Sequence, residues 1–215
     1  MNFFFIGLLC LLSVEMAFSQ QIHGDTLNVK HNTASNNWSF AAEVYYYILP
    51  NEKNTTTMIG YADYKAFHSE VRYNYEDLQT VSVFGGYRFN TGQNFTIEVT
   101  PIIGLAAGNT DGFITGLLLN LTWKKFDFYS ESEYVMNFEG KENNYFYTWS
   151  ELGITPFYNF RTGISANRTR LIHSDLDFQR GIFIQYTFRK LTAGFHYFNP
   201  LTSASYEIIT VGYEF

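Results

Sequence analysis

The chain has 215 residues, of which 20% are aromatic and only 16% charged, and its formal charge is −6. Disordered chains are aromatic-poor and charge-rich, so disorder is excluded, and the acidic balance leaves no basic footprint for a nucleic-acid binder. A single cysteine excludes an intrachain disulfide framework and any multi-cysteine zinc site.

In chain order, the first predicted element is an export signal over residues 1–19. Phe3-Phe4-Phe5-Ile6-Gly7-Leu8-Leu9-Cys10-Leu11-Leu12 has the length of a signal-peptide core. It is too short to span a bilayer, which takes about 20 apolar residues. Ala17-Phe18-Ser19 supplies small residues for cleavage near Ser19/Gln20. Residues 20–36 are polar, and Thr26-Leu27-Asn28-Val29-Lys30 alternates weakly. This stretch is either a short periplasmic N-terminal segment or a weak first strand.

From residue 37 to 215 the sequence alternates with period two, the signature of strands. Eleven segments are predicted: 37–48, 61–75, 79–90, 94–107, 112–124, 126–138, 144–155, 159–170, 177–189, 191–198 and 204–215. Glu76-Asp77, Asn90-Thr91-Gly92, Gly108-Asn109-Thr110-Asp111-Gly112, Glu139-Gly140-Lys141 and Asn199-Pro200 are the clearest breaks. In 67–75, Phe67, Ser69, Val71, Tyr73 and Tyr75 share one face, opposite His68, Glu70, Arg72 and Asn74. No helix-period segment of useful length follows the signal, so residues 37–215 read as one all-β domain.

Two all-β solutions compete: a soluble fold with its apolar face inward, and a membrane barrel with its apolar face toward lipid. Strand length favours the barrel, because soluble strands average about 5–6 residues and a membrane strand needs roughly 9–11. Aromatics also crowd the segment ends, as interfacial girdles require: Tyr45-Tyr46-Tyr47, Tyr73 and Tyr75, Tyr87 and Phe89, Trp123, Tyr145 and Tyr147, Tyr186 and Phe188, Tyr197 and Phe198. The predicted fold is therefore a single antiparallel, transmembrane, up-and-down β-barrel. Bacterial single-chain barrels have even strand numbers. Eleven segments therefore imply about twelve strands, with one hidden near Thr26–Lys30, or ten if two neighbours are one bulged strand.

The last segment ends on Tyr213-Glu214-Phe215, an alternating strand closed by Phe. This resembles the insertion signal of Gram-negative outer-membrane β-barrels. His68-Ser-Glu-Val-Arg-Tyr-Asn-Tyr-Glu-Asp77, Tyr147-Thr-Trp-Ser-Glu-Leu152 and Asn167-Arg-Thr-Arg170 are similar to an uncharacterised group of such proteins. The resemblance implies integral outer-membrane localisation and, as partners, outer-membrane lipid and the barrel-assembly machinery, with Tyr213 and Phe215 as the insertion signal. It implies no activity.

Parity places Glu43, Glu70, Arg72, Arg88, Glu98, Glu131, Glu133, Glu151, Arg161, Gln179, Gln185 and Arg189 on the inward polar face. Paired, they form a lumen network that fills a narrow barrel; hydrated, they line a slightly acidic channel. His68-Ser69-Glu70 holds the residue types of a lipid acyl hydrolase, but neighbours along a strand face opposite ways, so the three cannot converge. His173-Ser174 lies in a polar connection. No phosphate loop, nucleotide motif or metal-ligand spacing is present, so no cofactor or metal is expected. The functional reading is a non-enzymatic outer-membrane barrel, structural or a narrow channel. The alternatives are an outer-membrane lipid-modifying enzyme and a soluble secreted β-barrel or sandwich.

Overall fold

The computed structural model describes residues 38–50, 52–168 and 178–215. The signal segment, Thr26–Lys30 and His173 lie outside them. The described strands are β1 (Trp38–Ile48), β2 (Thr55–Tyr64), β3 (Phe67–Tyr73), β4 (Val81–Tyr87), β5 (Phe89–Thr91), β6 (Phe95–Ala107), β7 (Gly112–Trp123), β8 (Phe126–Asn137), β9 (Tyr145–Phe157), β10 (Phe160–Arg168), β11 (Gln179–Phe188), β12 (Leu191–Phe198) and β13 (Tyr206–Glu214). Each pairs antiparallel with its chain neighbours, except that β4 and β5 both pair with β6, and β13 returns to pair with β1 from Ala41↔Glu214 to Ile48↔Glu207. The sheet is closed.

β4 and β5 are two halves of one barrel strand. Gly86 pairs with Ile102 and Phe89 with Val99, so the register on β6 runs unbroken through Tyr87 and Arg88. The ladder lapses opposite Pro101, which has no N–H to donate. The thirteen segments thus make twelve barrel strands, as the parity argument required. The twelfth strand is not at the N-terminal side, where it was expected. It is β2, and the segment predicted as one strand over 61–75 is a hairpin turning at Lys65-Ala66.

The two ends of the barrel differ. At one end lie the turns at 65–66, 92–94, 124–125, 158–159 and 189–190 and the outer ends of β1 and β13; we call this the turn rim. The opposite loop rim carries longer connections, among them 74–80, 138–144 and 199–205. Short turns at one rim and longer loops at the other are the habit of outer-membrane barrels. No described helix is long and apolar enough to cross a membrane, which says nothing about strands.

Burial alternates along every long strand, and its polarity is inside out. The outward positions of β6 are Phe95, Ile97, Val99, Pro101, Ile103, Leu105 and Ala107, with Ile103 and Leu105 each 59% exposed. Across all the described strands, only Arg168, Arg180 and Glu207 carry charge on the outward face, all at the loop rim. The inward face holds the charges: Arg72, Glu133 and Glu151 are each 1% exposed. A soluble barrel or sandwich has the reverse arrangement. Apolar groups facing outward and charges facing inward are stable where lipid is the outer solvent.

The aromatics divide between the two faces. Trp38, Phe67, Trp123, Phe126, Phe157 and Phe188 are exposed around the turn rim, where a girdle belongs. Tyr45, Tyr47, Tyr75, Tyr145, Tyr147 and Phe198, expected in the girdle, are instead buried in the bore. Tyr75 was predicted to share a face with Phe67 and Tyr73. Asn74 adopts φ 55°, which ends the extended strand and turns Tyr75 inward.

Candidate functional site: the lumen network

Nine carboxylates are buried in the bore: Glu43, Asp63, Glu70, Glu76, Glu98, Asp127, Glu131, Glu133 and Glu151. Three guanidinium groups, Arg72, Arg88 and Arg161, and two imidazoles, His68 and His196, accompany them. An ion taken out of water is tolerated where it is paired or hydrogen-bonded; Glu43 accepts from the Tyr45 hydroxyl at 2.6 Å, and most of the other charged groups fall into two networks.

The first is centred on Arg72 of β3. Its Nε donates to Glu70 Oε2 at 2.6 Å. Its Nη1 lies 2.8 Å from Glu133, 2.9 Å from Glu131 and 3.3 Å from Glu76. The guanidinium plane rests against Phe84 at 4.2 Å and Tyr75 at 4.5 Å. Glu131 and Glu133 belong to β8, so one side chain joins walls that are not neighbours in the sheet. Toward the turn rim, His68 Nδ1 lies 2.7 Å from Asp63 and Nε2 2.5 Å from Glu70. Arg88 then pairs with Asp63 at 3.0 Å and Glu98 at 3.3 Å.

The second network is centred on Arg161 of β10. It donates to Asp127 through Nε at 2.9 Å, and its Nη2 also reaches that carboxylate. Its Nη1 donates to Glu151 at 2.5 Å and to Gln185 at 2.9 Å. Glu151 also accepts from Trp149 Nε1 at 3.1 Å and faces His196 Nε2 at 2.9 Å. A Cβ at Gly153 would lie 2.6 Å from Asp127 and 2.7 Å from Arg161, so only glycine leaves room for this pair.

Aromatic side chains also reach across the bore. Tyr45 of β1 meets Trp149 of β9 edge-on, with centroids 6.2 Å apart, although these strands stand almost opposite each other in the closed sheet. Residues 74–80 pack into the bore at the loop rim. Tyr75 donates to Glu131 at 2.9 Å, Tyr147 donates to Tyr75 at 2.8 Å, and Tyr145 donates to the Glu76 carbonyl at 3.0 Å. Glu76 accepts from Ser82 at 2.7 Å, and burial pushes its carboxyl above the ordinary value despite the opposing pull of Arg72. A cavity of about 640 Å³ lies at the loop rim beside Phe178, Gln179, Arg180, Asn199 and Pro200.

Of the residues predicted inside, Glu43, Glu70, Arg72, Arg88, Glu98, Glu131, Glu133, Glu151, Arg161, Gln179 and Gln185 are buried there. Arg189 is not. It occupies the β11–β12 turn with φ 57°, exposed, its guanidinium 5.4 Å from the Phe188 ring centroid. Asp63, Glu76 and Asp127 were not anticipated. Asp127 has the parity of Glu131 and Glu133, which would have revealed it; Asp63 was hidden by the unread hairpin. Ser69 points away from its neighbours and donates to the Ala62 carbonyl at 2.6 Å, while His68 and Glu70 face the bore. Among the described residues, no group of three His, Cys, Asp or Glu is arranged to hold a metal ion. Tyr213 and Phe215 face outward at the turn rim, centroids 5.2 Å apart, and Phe215 donates its N–H to the Phe40 carbonyl at 3.0 Å.

No family profile and no curated protein matches this chain, but solved structures do. The KdgM porin superposes with a TM-score of 0.58 at 12% identity, over 81% of this chain and 99% of that one. The KdgM porin in complex with disordered oligogalacturonate superposes at 0.59 and 11% identity, with the same coverage. At such identities the likeness defines the fold: this chain forms a closed, antiparallel, porin-like barrel of twelve strands.

Proposed function

We propose that this chain is an integral outer-membrane β-barrel, non-enzymatic and sealed along its axis. The observation that carries the reading is the set of buried ion pairs spanning the bore. Arg72 crosses from β3 to Glu131 and Glu133 on β8 while only 1% exposed, and a water-filled passage would leave such groups wet. Residues 1–19 serve as the export signal, 20–36 as a short periplasmic segment, and Tyr213 and Phe215 as the cue for the barrel-assembly machinery.

A channel is the second reading, favoured by the porin-like shape. One porin of this shape has been solved with oligogalacturonate, an acidic sugar polymer. Nine carboxylates against three guanidinium groups make the present interior acidic, which repels a polyanion and favours cations if the bore ever opens. The test is the full chain, exported, extracted from outer membranes and reconstituted in a planar bilayer. The expected result is a band that shifts on boiling and no steady channel openings. Recovery in the soluble periplasm refutes the barrel; stable ion-conducting steps refute the seal.

A further inference from the structure

Among the described residues, the turn rim carries five exposed cations, Lys65, Lys124, Lys125, Arg189 and Lys190. They sit on three of its five turns: β2–β3, β7–β8 and β11–β12. Because β4 and β5 count as one strand, each of these turns lies four strands from the next around the twelve-strand wall. The cations are therefore spread over the whole circumference and do not form one patch. The turns between them, Gly92-Gln93-Asn94 and Tyr158-Asn159, are neutral. Among the described side chains, Glu214 is the one carboxylate at this rim that is not buried. Among the described residues, the loop rim has the opposite balance, with Glu52, Asp77, Asp111, Glu139, Glu142 and Glu207 against Lys53, Lys141, Arg168 and Arg180.

Each cationic turn is joined to the girdle. Lys65 Nζ lies 5.3 Å from the Tyr64 ring centroid, Lys124 Nζ 5.0 Å from Trp123, and the Arg189 guanidinium 5.4 Å from Phe188. The ring edges mark the level where hydrocarbon gives way to headgroups, so the ammonium and guanidinium groups stand at phosphate depth.

We propose that the turn rim is a binding surface for anionic phospholipid headgroups, which the three cationic turns gather around the barrel. The proposal rests on the membrane-barrel reading. A negatively charged leaflet attracts basic groups held within a Debye length of its surface. A ring of cations above an aromatic belt matches a planar layer of phosphates on every side. It also gives the barrel a polarity: the basic rim settles in the anionic leaflet and the acidic rim is kept out of it.

The test uses the full chain refolded into phosphatidylcholine vesicles containing trace spin-labelled lipid. The quantity read is the association of labelled phosphatidylglycerol at the protein surface relative to labelled phosphatidylcholine. The wild type should prefer phosphatidylglycerol by about threefold at low salt, falling toward parity in about 1 M salt. The pair variants K124Q/K125Q and R189Q/K190Q should each lose part of the preference, and all five substitutions together the whole of it. The loop-rim variant K53Q/K141Q/R168Q/R180Q should keep it. A folded wild type with no preference overturns the proposal, as does a preference lost with the loop-rim cations and kept without the turn-rim ones. Folding is read first from gel mobility with and without boiling. A chain that never becomes heat-modifiable overturns the membrane reading, and this proposal with it; a heat-modifiable chain without lipid preference overturns this proposal alone.

Discussion

Arg72 and Arg189 carry the same charge in opposite settings. Arg72 is buried against Glu70, Glu76, Glu131 and Glu133, and removing it takes the guanidinium from all four, leaving Glu70 with His68, Glu76 with Ser82 and Glu131 with Tyr75. Arg72→Met should cost about 3–5 kcal/mol, the usual penalty for breaking a buried ion pair. Arg189→Gln should stay within about 0.5 kcal/mol, as exposed substitutions do. Urea titration of the lipid-embedded barrel measures both, and equal midpoints would mean that the Arg72 network contributes nothing. The sequence separated these residues only in part. Parity along a strand is set by the pleat, so Glu131, Glu133, Glu151 and Gln185 were placed from alternation alone. The rule lapses where the backbone leaves the extended region. Arg189 has the parity of Gln185, yet it lies just past the end of β11 with φ 57°, and Asn74 reverses Tyr75 in the same way.

At the scale of elements, the connection 74–80 behaves as part of the interior. Two hydroxyl contacts from β9 hold it: Tyr145 to the Glu76 carbonyl and Tyr147 to the Tyr75 hydroxyl. Each such bond is worth about 1 kcal/mol net. Tyr145→Phe with Tyr147→Phe should therefore speed chymotrypsin cleavage at the loop by about tenfold or more in intact vesicles. An unchanged cleavage rate would mean that Asp77, Ser82 and Arg72 suffice to pin it. This loop and β2 were the elements least legible from sequence, for different reasons. The loop looked like an ordinary polar break, because its tertiary partners lie some seventy residues away on β9. β2 opens on Thr55-Thr56-Thr57 and continues through Gly60 and Ala62, which blurs the contrast between its faces. Its turn, Lys65-Ala66, has none of the Gly, Pro, Asn or Asp residues that announce a hairpin. The long strands β6, β7 and β8 were read to within about two residues because each keeps one parity for twelve or thirteen positions.

The molecule as a whole is defined by which solvent each face meets, and one pair of neighbouring residues tests that. Val99 and Glu98 are adjacent on β6, two or three positions from the midpoint of a strand running from Phe95 to Ala107. Val99 faces outward between its register partners Phe89 and Leu119. Glu98 faces inward, 3.3 Å from Arg88 and 3.4 Å from the Asn120 amide. In lipid, Val99→Arg places a charge near the middle of the hydrocarbon and should cost about 2–4 kcal/mol. Glu98→Gln keeps an oxygen to accept hydrogen bonds, and Arg88 retains Asp63 at 3.0 Å. Its cost should stay below about 1.5 kcal/mol, the scale of one hydrogen bond. Were the outer face bathed in water, Val99→Arg would be an ordinary surface change within about 0.5 kcal/mol, and Glu98→Gln would be the costlier of the two. Urea midpoints of both variants, folded in the same vesicles, give the order directly. Val99→Arg should unfold well before Glu98→Gln, and the reverse order would turn the barrel inside out.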